Sequence, residues 1–118
     1  MQVTRGTIVL AALPFSDGSG SKVRPGLVVQ CDHNNHRLQD VIVAVITKTV
    51  KNTTEPTQLL IDITTQEGRG TRLLHTSAVK CEHLITIDQN LIQRTIGSLT
   101  SAMMVQIDAC LKAALEMK

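Results

Sequence analysis

Six consecutive aliphatic residues, Val41–Ile46, stand between Asp40 and Thr47. A run this short and this continuous suits a strand buried on both faces. The rest of the chain leans the same way. Valine, isoleucine and threonine supply 35 of the 118 residues, and β-branched side chains favour extended backbone. With 42% hydrophobic and 19% charged residues, the chain reads as a globular protein and not a disordered one. Its length supports one compact domain, residues 1–118.

Other segments follow around that run. Thr7–Leu13 is a short apolar stretch stopped by Pro14, and Ser16–Ser21 is a serine- and glycine-rich loop. Gly26–Cys31 reads as a second strand, with Pro25 at its entrance, where a missing N–H is tolerated. Asp32–Arg37 is polar and reads as a turn, Thr57–Ile63 as a strand, and Gly68–Gly70 as a turn. A strand-like segment then runs from Arg72 to about Ile87, followed by a single helical turn at Asp88–Leu91 and a short extended piece, Arg94–Leu99. Thr100 is a good N-cap, and Met104, Ile107, Leu111 and Leu115 recur at helical spacing to the C-terminus. Asp108 and Lys112 form an i, i+4 pair on that helix. Five to six short antiparallel strands closed by one terminal helix predict an α+β, mainly β fold of the SH3-like small-barrel kind.

A net charge of +2 excludes a whole-surface polyelectrolyte trap. The charge is concentrated, however: Lys22, Arg24, Arg37, Lys48 and Lys51 face only Asp32 and Asp40 within one third of the chain, which predicts a local anion site. Three cysteines, none in a Cys-x-x-Cys unit, point to a reduced, cytoplasmic protein. Ile8–Leu13 is too short for the apolar core of a signal peptide, and no stretch approaches a membrane span.

Four constellations compete for chemistry. Arg24 beside the Ser/Gly loop, with Thr47 and Lys48 where the apolar strand turns polar, forms a candidate phosphate clamp. Spacing alone does not lift these residues above a surface arginine and an ordinary strand threonine. Cys31-Asp32-His33 and Cys81-Glu82-His83 each place two zinc-type ligands on one side of a strand. Their spacing is not that of zinc motifs, and cysteines also serve as small core residues, so no metal is expected. His33, His36, His75 and His83 are candidates for acid–base work, with His83 favoured by its strand-like setting. Phe15, the only Phe, Tyr or Trp, reads as a loop anchor first, with a second role as a base-stacking platform left open.

Thr4–Val9, Arg24-Pro25-Gly26-Leu27-Val28-Val29-Gln30, Val43–Thr47, Glu55-Pro56-Thr57, Ile85–Asp88 and Ile96–Leu99 together resemble, in order, the MazF/PemK toxins. The resemblance spans nearly the whole chain. It implies an SH3-like barrel, a homodimer, a cognate antitoxin partner and no cofactor. It also implies sequence-specific, metal-independent, ribosome-independent cleavage of single-stranded RNA, by attack of the ribose 2′-hydroxyl to leave 2′,3′-cyclic phosphate and 5′-hydroxyl ends. Arg24 and Thr47 match the family's catalytic arginine and threonine. Lys22, Lys48, Glu82 and His83 are the expected RNA-binding residues. Two features depart from the pattern: the loop before Arg24 carries no carboxylate after Asp17, and His83 stands where relatives commonly have glutamine. A change of base preference, help in proton transfer and no role at all stay open for His83. The other reading is a non-catalytic toxin of the same fold that poisons a protein target such as gyrase. The apolar character of the terminal helix further predicts that it helps form the dimer.

Overall fold

The computed structural model describes residues 3–50 and 55–118. Strand β3 (Asp40–Thr47) occupies the interior of the sheet, and its aliphatic run divides between two cores. Val41, Val43 and Val45 join Val9, Ala11, Leu13, Val28 and Ile87 on one face. Ala44 and Ile46 join Ile8, Leu27, Ile61 and Val79 on the other. Ile42 alone in the run is half-buried. Burying a valine or isoleucine side chain is worth about 1.5–3 kcal/mol, so this strand anchors both layers.

Around it stand β1 (Thr7–Pro14), β2 (Ser21–Val28), β4 (Gln58–Ile61), β5 (Ser77–Asp88) and β6 (Arg94–Ser98). Their order is β4-β5-β3-β2-β1-β6, and every neighbouring pair is antiparallel. The sheet curls into an open barrel whose edges are β4 and β6. Helix α3 (Ser101–Leu115) packs Met103, Ile107 and Cys110 on one face of the sheet, and the Thr100 hydroxyl caps it by accepting the Met103 N–H at 3.1 Å. The expected fold class is therefore the observed one, with six strands.

Several local expectations need correction. The buried stripe of α3 is Met103, Ile107 and Cys110, whereas Met104 is half-buried and Leu115 is exposed. Asp108 pairs across the fold with Arg5 at 2.7 Å, while Arg5 also donates to the Val29 carbonyl at 2.8 Å. Asp32–Arg37 is a helix, α1, and not a turn. Six residues make a marginal helix alone. Here Asn35 is buried and bonded to Gln30 through both side-chain atoms, and Gln89 donates to the carbonyls of Asn35 and Leu38. Those tertiary bonds hold a helix that local propensity does not favour.

Gln66–Gly70 is likewise a short helix, α2, capped by the Thr65 hydroxyl accepting the Gly68 N–H at 3.0 Å. The segment 71–76 is not extended, so β5 begins at Ser77 and not at Arg72. Arg72 sits at φ 64°, which breaks any strand there. The fourth strand is shorter than expected, and β2 is shifted towards the loop, from Ser21 to Val28.

The 71–76 segment is held against β6 by a close backbone approach. A Cβ on Gly97 would overlap the Thr71 carbonyl oxygen, whereas one on Gly70 would meet open space. Gly97→Ala should therefore destabilise the protein by about 2 kcal/mol or more in urea unfolding. Gly70→Ala should stay within about 0.5 kcal/mol of the parent. An unchanged midpoint for Gly97→Ala would contradict the packing described.

Candidate active site

Strands β2 and β3 pair only from Gly26↔Val45 to Val28↔Val43. Continuing that register past the last pair brings Arg24 opposite Thr47, on the same face of the sheet as Val28, Val43 and Val45. The pairing stops next to Pro25, which has no N–H to contribute to a ladder. Beyond it the strands part. A groove of about 730 Å³ opens there, lined by Lys22, Arg24, Thr47, Lys48, His75 and Ser77, with Val23, Ile46, Leu73, Leu74 and Ile96 as its apolar portion.

The groove is cationic. Lys22, Arg24, Lys48, Arg72 and Arg94 line it, and among the described residues no carboxylate does. Lys22, Arg24 and Lys48 come from the basic third of the chain noted in the sequence. Arg37 instead sits on α1 and donates to Asn34, and Lys51 lies outside the described residues. Sequence reading missed Arg72 and Arg94. They come from the 71–76 segment and the edge strand β6, far along the chain, and only the fold brings them to the groove.

Arg24 also lines a second cavity, of about 380 Å³, with Phe15, Ser16, Asp17, Ser19, Lys80 and His83. Its guanidinium carbon lies 5.0 Å from the centre of the Phe15 ring, an arrangement that fixes the plane of the charged group. Nε and Nη2 are buried and donate to nothing among the described residues. An unpartnered buried donor costs about 1–3 kcal/mol, and an anion accepting both would offset that cost. Thr47 is similarly prepared. Its hydroxyl oxygen accepts the Thr49 N–H at 3.1 Å, which leaves the hydroxyl proton for another acceptor.

His83 reaches the smaller cavity through an irregularity of β5. Val45 pairs with Lys80 and Ala44 with Leu84, so Cys81, Glu82 and His83 are inserted between two adjacent rungs. Such bulges re-aim side chains. Burial, with Lys80 and Arg24 adding to it, pushes the His83 imidazole below its ordinary value, against a smaller pull from Glu82. Glu82 itself turns towards the start of β4, where it accepts from Gln58 Nε2 at 2.7 Å and from Oγ1 of the preceding Thr57 at 3.0 Å. Burial acts to raise its carboxyl, but its own amide, Gln58, Thr57 and Lys80 outweigh that and hold it low. The structure thus gathers Arg24, Thr47, Lys22 and Lys48 in one groove and sets His83 beside Arg24. It leaves Glu82 among polar partners on the neighbouring strand.

The two Cys-x-His units do not combine. Cys31 is exposed, whereas Cys81 is fully buried in the core under α3. Burial first, then Cys110 and Glu82, push the Cys81 thiol up to about 12, which opposes the thiolate that zinc requires. Among the described residues no group of three or more His, Cys, Asp or Glu side chains is arranged to hold a metal ion. His33 and His36 lie on α1.

The comparisons with known proteins agree along the whole chain. A family model described as PemK-like, MazF-like toxin of type II toxin-antitoxin system matches residues 4–115. Endoribonuclease EndoA of Bacillus subtilis (strain 168) is 31% identical over 116 residues, covering 98% of this chain and 96% of that protein. Endoribonuclease MazF of Staphylococcus epidermidis is 28% identical over 114 residues, covering 96% and 91%. A solved mycobacterial endoribonuclease, in complex with its cognate antitoxin, is similar in fold at a TM-score of 0.78 and 24% identity, over 98% of this chain and 97% of that one. With this order of motifs, this fold and these matches, the chain belongs to the PemK-like, MazF-like toxin family of type II toxin–antitoxin systems.

Proposed function

We propose that this chain is the toxin of a toxin–antitoxin pair and an endoribonuclease that cuts single-stranded RNA at a short recognition sequence, independently of the ribosome and of metal. The observation that carries the reading is the Arg24 guanidinium, with two buried donors unused, in a cationic groove beside Thr47. The relatives named as endoribonucleases support the same activity.

In this mechanism the ribose 2′-oxygen attacks the adjacent phosphorus and the 5′-oxygen departs, leaving a 2′,3′-cyclic phosphate and a 5′-hydroxyl. Negative charge grows on the phosphoryl oxygens as the bond forms. Arg24 stabilises that charge with donors already in place and already desolvated. An arginine does not give up its proton, so its role is electrostatic. Thr47 donates its hydroxyl proton to a phosphoryl oxygen and keeps the phosphorus in line for attack. Lys22, Lys48, Arg72 and Arg94 draw in the flanking phosphates. Among the described residues the groove is lined by cations without a carboxylate, which supports charge neutralisation by the arginine itself.

The solved mycobacterial relative is held by its cognate antitoxin. By the same logic an antitoxin here would block the groove with acidic side chains. Homodimerisation is supported by the apolar residues that α3 and the chain end leave exposed, Val105, Leu115 and Met117. No helix among the described residues is long and apolar enough to cross a membrane, and three free cysteines suit the reducing cytoplasm.

Purified protein incubated with mixed-sequence RNA in excess EDTA should release fragments ending in cyclic phosphate. Arg24→Ala should slow this by about a hundredfold or more while remaining folded. Intact RNA with folded wild-type protein would instead favour a toxin acting on a protein target. Binding of a non-cleavable 2′-deoxy substrate should weaken with salt. Arg94→Ala should make the log–log salt dependence shallower by about 0.7, the share of one phosphate on a single strand. An unchanged slope would remove Arg94 from the RNA path.

A further inference from the structure

We infer that His83 is the general base that takes the proton from the attacking 2′-hydroxyl. The inference rests on the endoribonuclease reading above. Attack by a ribose hydroxyl needs a proton acceptor near the bound phosphate, and the phosphate is placed by the unused donors of Arg24. The cavity that Arg24 shares with the β1–β2 loop contains two side chains that can accept a proton, Asp17 and His83.

Asp17 is poorly suited. It is exposed, and Ser19, through its hydroxyl and its amide, holds the carboxyl below the ordinary carboxylate range, which makes it a weak base. Glu82 is turned away and its two oxygens are taken by Thr57 and Gln58. The β5 bulge that turns Glu82 outward is the same one that inserts His83 between two rungs of the ladder, against the wall of the Arg24 cavity.

Burial, and then the charged groups around His83, shift its imidazole towards the unprotonated form. Arg24 on β2 and Lys80 on β5 are cations, and both add to burial in disfavouring the imidazolium. Glu82 on β5 opposes them weakly, and Asp17 in the loop lines the same cavity. The facing residues of β3 at the bulge, Ala44 and Val45, and Gln58 of β4 with Thr57 just before it are uncharged. An imidazole lowered from its ordinary value is available in neutral form at neutral pH to accept a proton, whereas both carboxylates are held below their own ordinary range.

In the step itself the 2′-O–H proton passes to an imidazole nitrogen of His83 while the 2′-oxygen forms its bond to phosphorus. The P–O5′ bond breaks with its electron pair on the 5′-oxygen, which takes a proton from water. The imidazolium then returns its proton to solvent.

The test is single-turnover cleavage of mixed-sequence RNA across pH 4.5–8.5, with wild type, His83→Gln, His83→Ala, Asp17→Asn and Arg24→Ala compared. Glutamine retains hydrogen bonding to a base edge but accepts no proton, so it separates catalysis from recognition. The wild-type rate should rise with pH through one ionisation below the ordinary histidine value and then level off. His83→Gln should lose that limb and about a hundredfold or more in rate, with KM little changed and the cut sites retained. Added imidazole should restore part of the His83→Ala rate, and Asp17→Asn should behave as wild type. If His83→Gln cuts at a near wild-type rate with the limb intact, or if only its cut sites change, the proposal falls. Loss of the limb in Asp17→Asn would transfer the role to Asp17. No cleavage by wild type at any pH would overturn the nuclease reading itself, a result distinct from failure of His83 alone.

Discussion

Everything in this fold is arranged around the double burial of β3. A strand with aliphatic side chains on both faces must be covered on both. One cover is the curled sheet packing on itself through Val9, Leu13 and Val28, and the other is α3 over Ile8, Leu27 and Val79. The same strand ends where its sequence becomes polar, at Thr47. Its partner β2 reaches Pro25 and Arg24 at that level, so the ladder stops and the two strand ends part. The groove is thus a consequence of the core's ending, positioned by a strand buried in both cores. A site anchored this way keeps its geometry better than one carried only on loops.

The site concentrates electrostatic cost where function would use it. Arg24 is half-buried, stacked on Phe15 and short of acceptors for two of its donors. Lys22, Lys48, Arg72 and Arg94 raise the potential of the same groove without a compensating carboxylate. This repulsion is tolerated because both cores lie elsewhere, under α3 and inside the curl of the sheet. The chain's net charge of +2 conceals that local field, because acidic residues such as Glu82, Asp32 and Asp108 are taken up in hydrogen bonds and an ion pair outside the groove.

Much of the architecture was legible beforehand because its signals are local. The aliphatic run of β3, the proline-flanked strands and the Thr100 cap each carry their own physical signature, and the six strands and terminal helix follow. Errors gathered where tertiary bonds override propensity. Asn35 and Gln89 make α1 a helix where polar composition reads as a turn, and the left-handed Arg72 and the tight approach at Gly97 shape a segment that reads as strand. The stripe of α3 was right at Ile107, with Met104 and Leu111 at its margin, but missed Met103 and Cys110 and included the exposed Leu115, because helical periodicity alone does not say which way the helix is rolled onto its sheet.

By itself the sequence determined the strand and helix content, the central buried strand, the basic third of the chain and the ordered motifs that carry its family. These depend on side-chain periodicity, turn chemistry and composition, all of which are properties of neighbours along the chain. Only the tertiary structure decided that Arg24 and Thr47 line one groove with two of the arginine's donors unused, that Arg72 and Arg94 join that groove, and that one bulge turns His83 towards the site and Glu82 away. Those are matters of register, and register is set by how distant strands share one core.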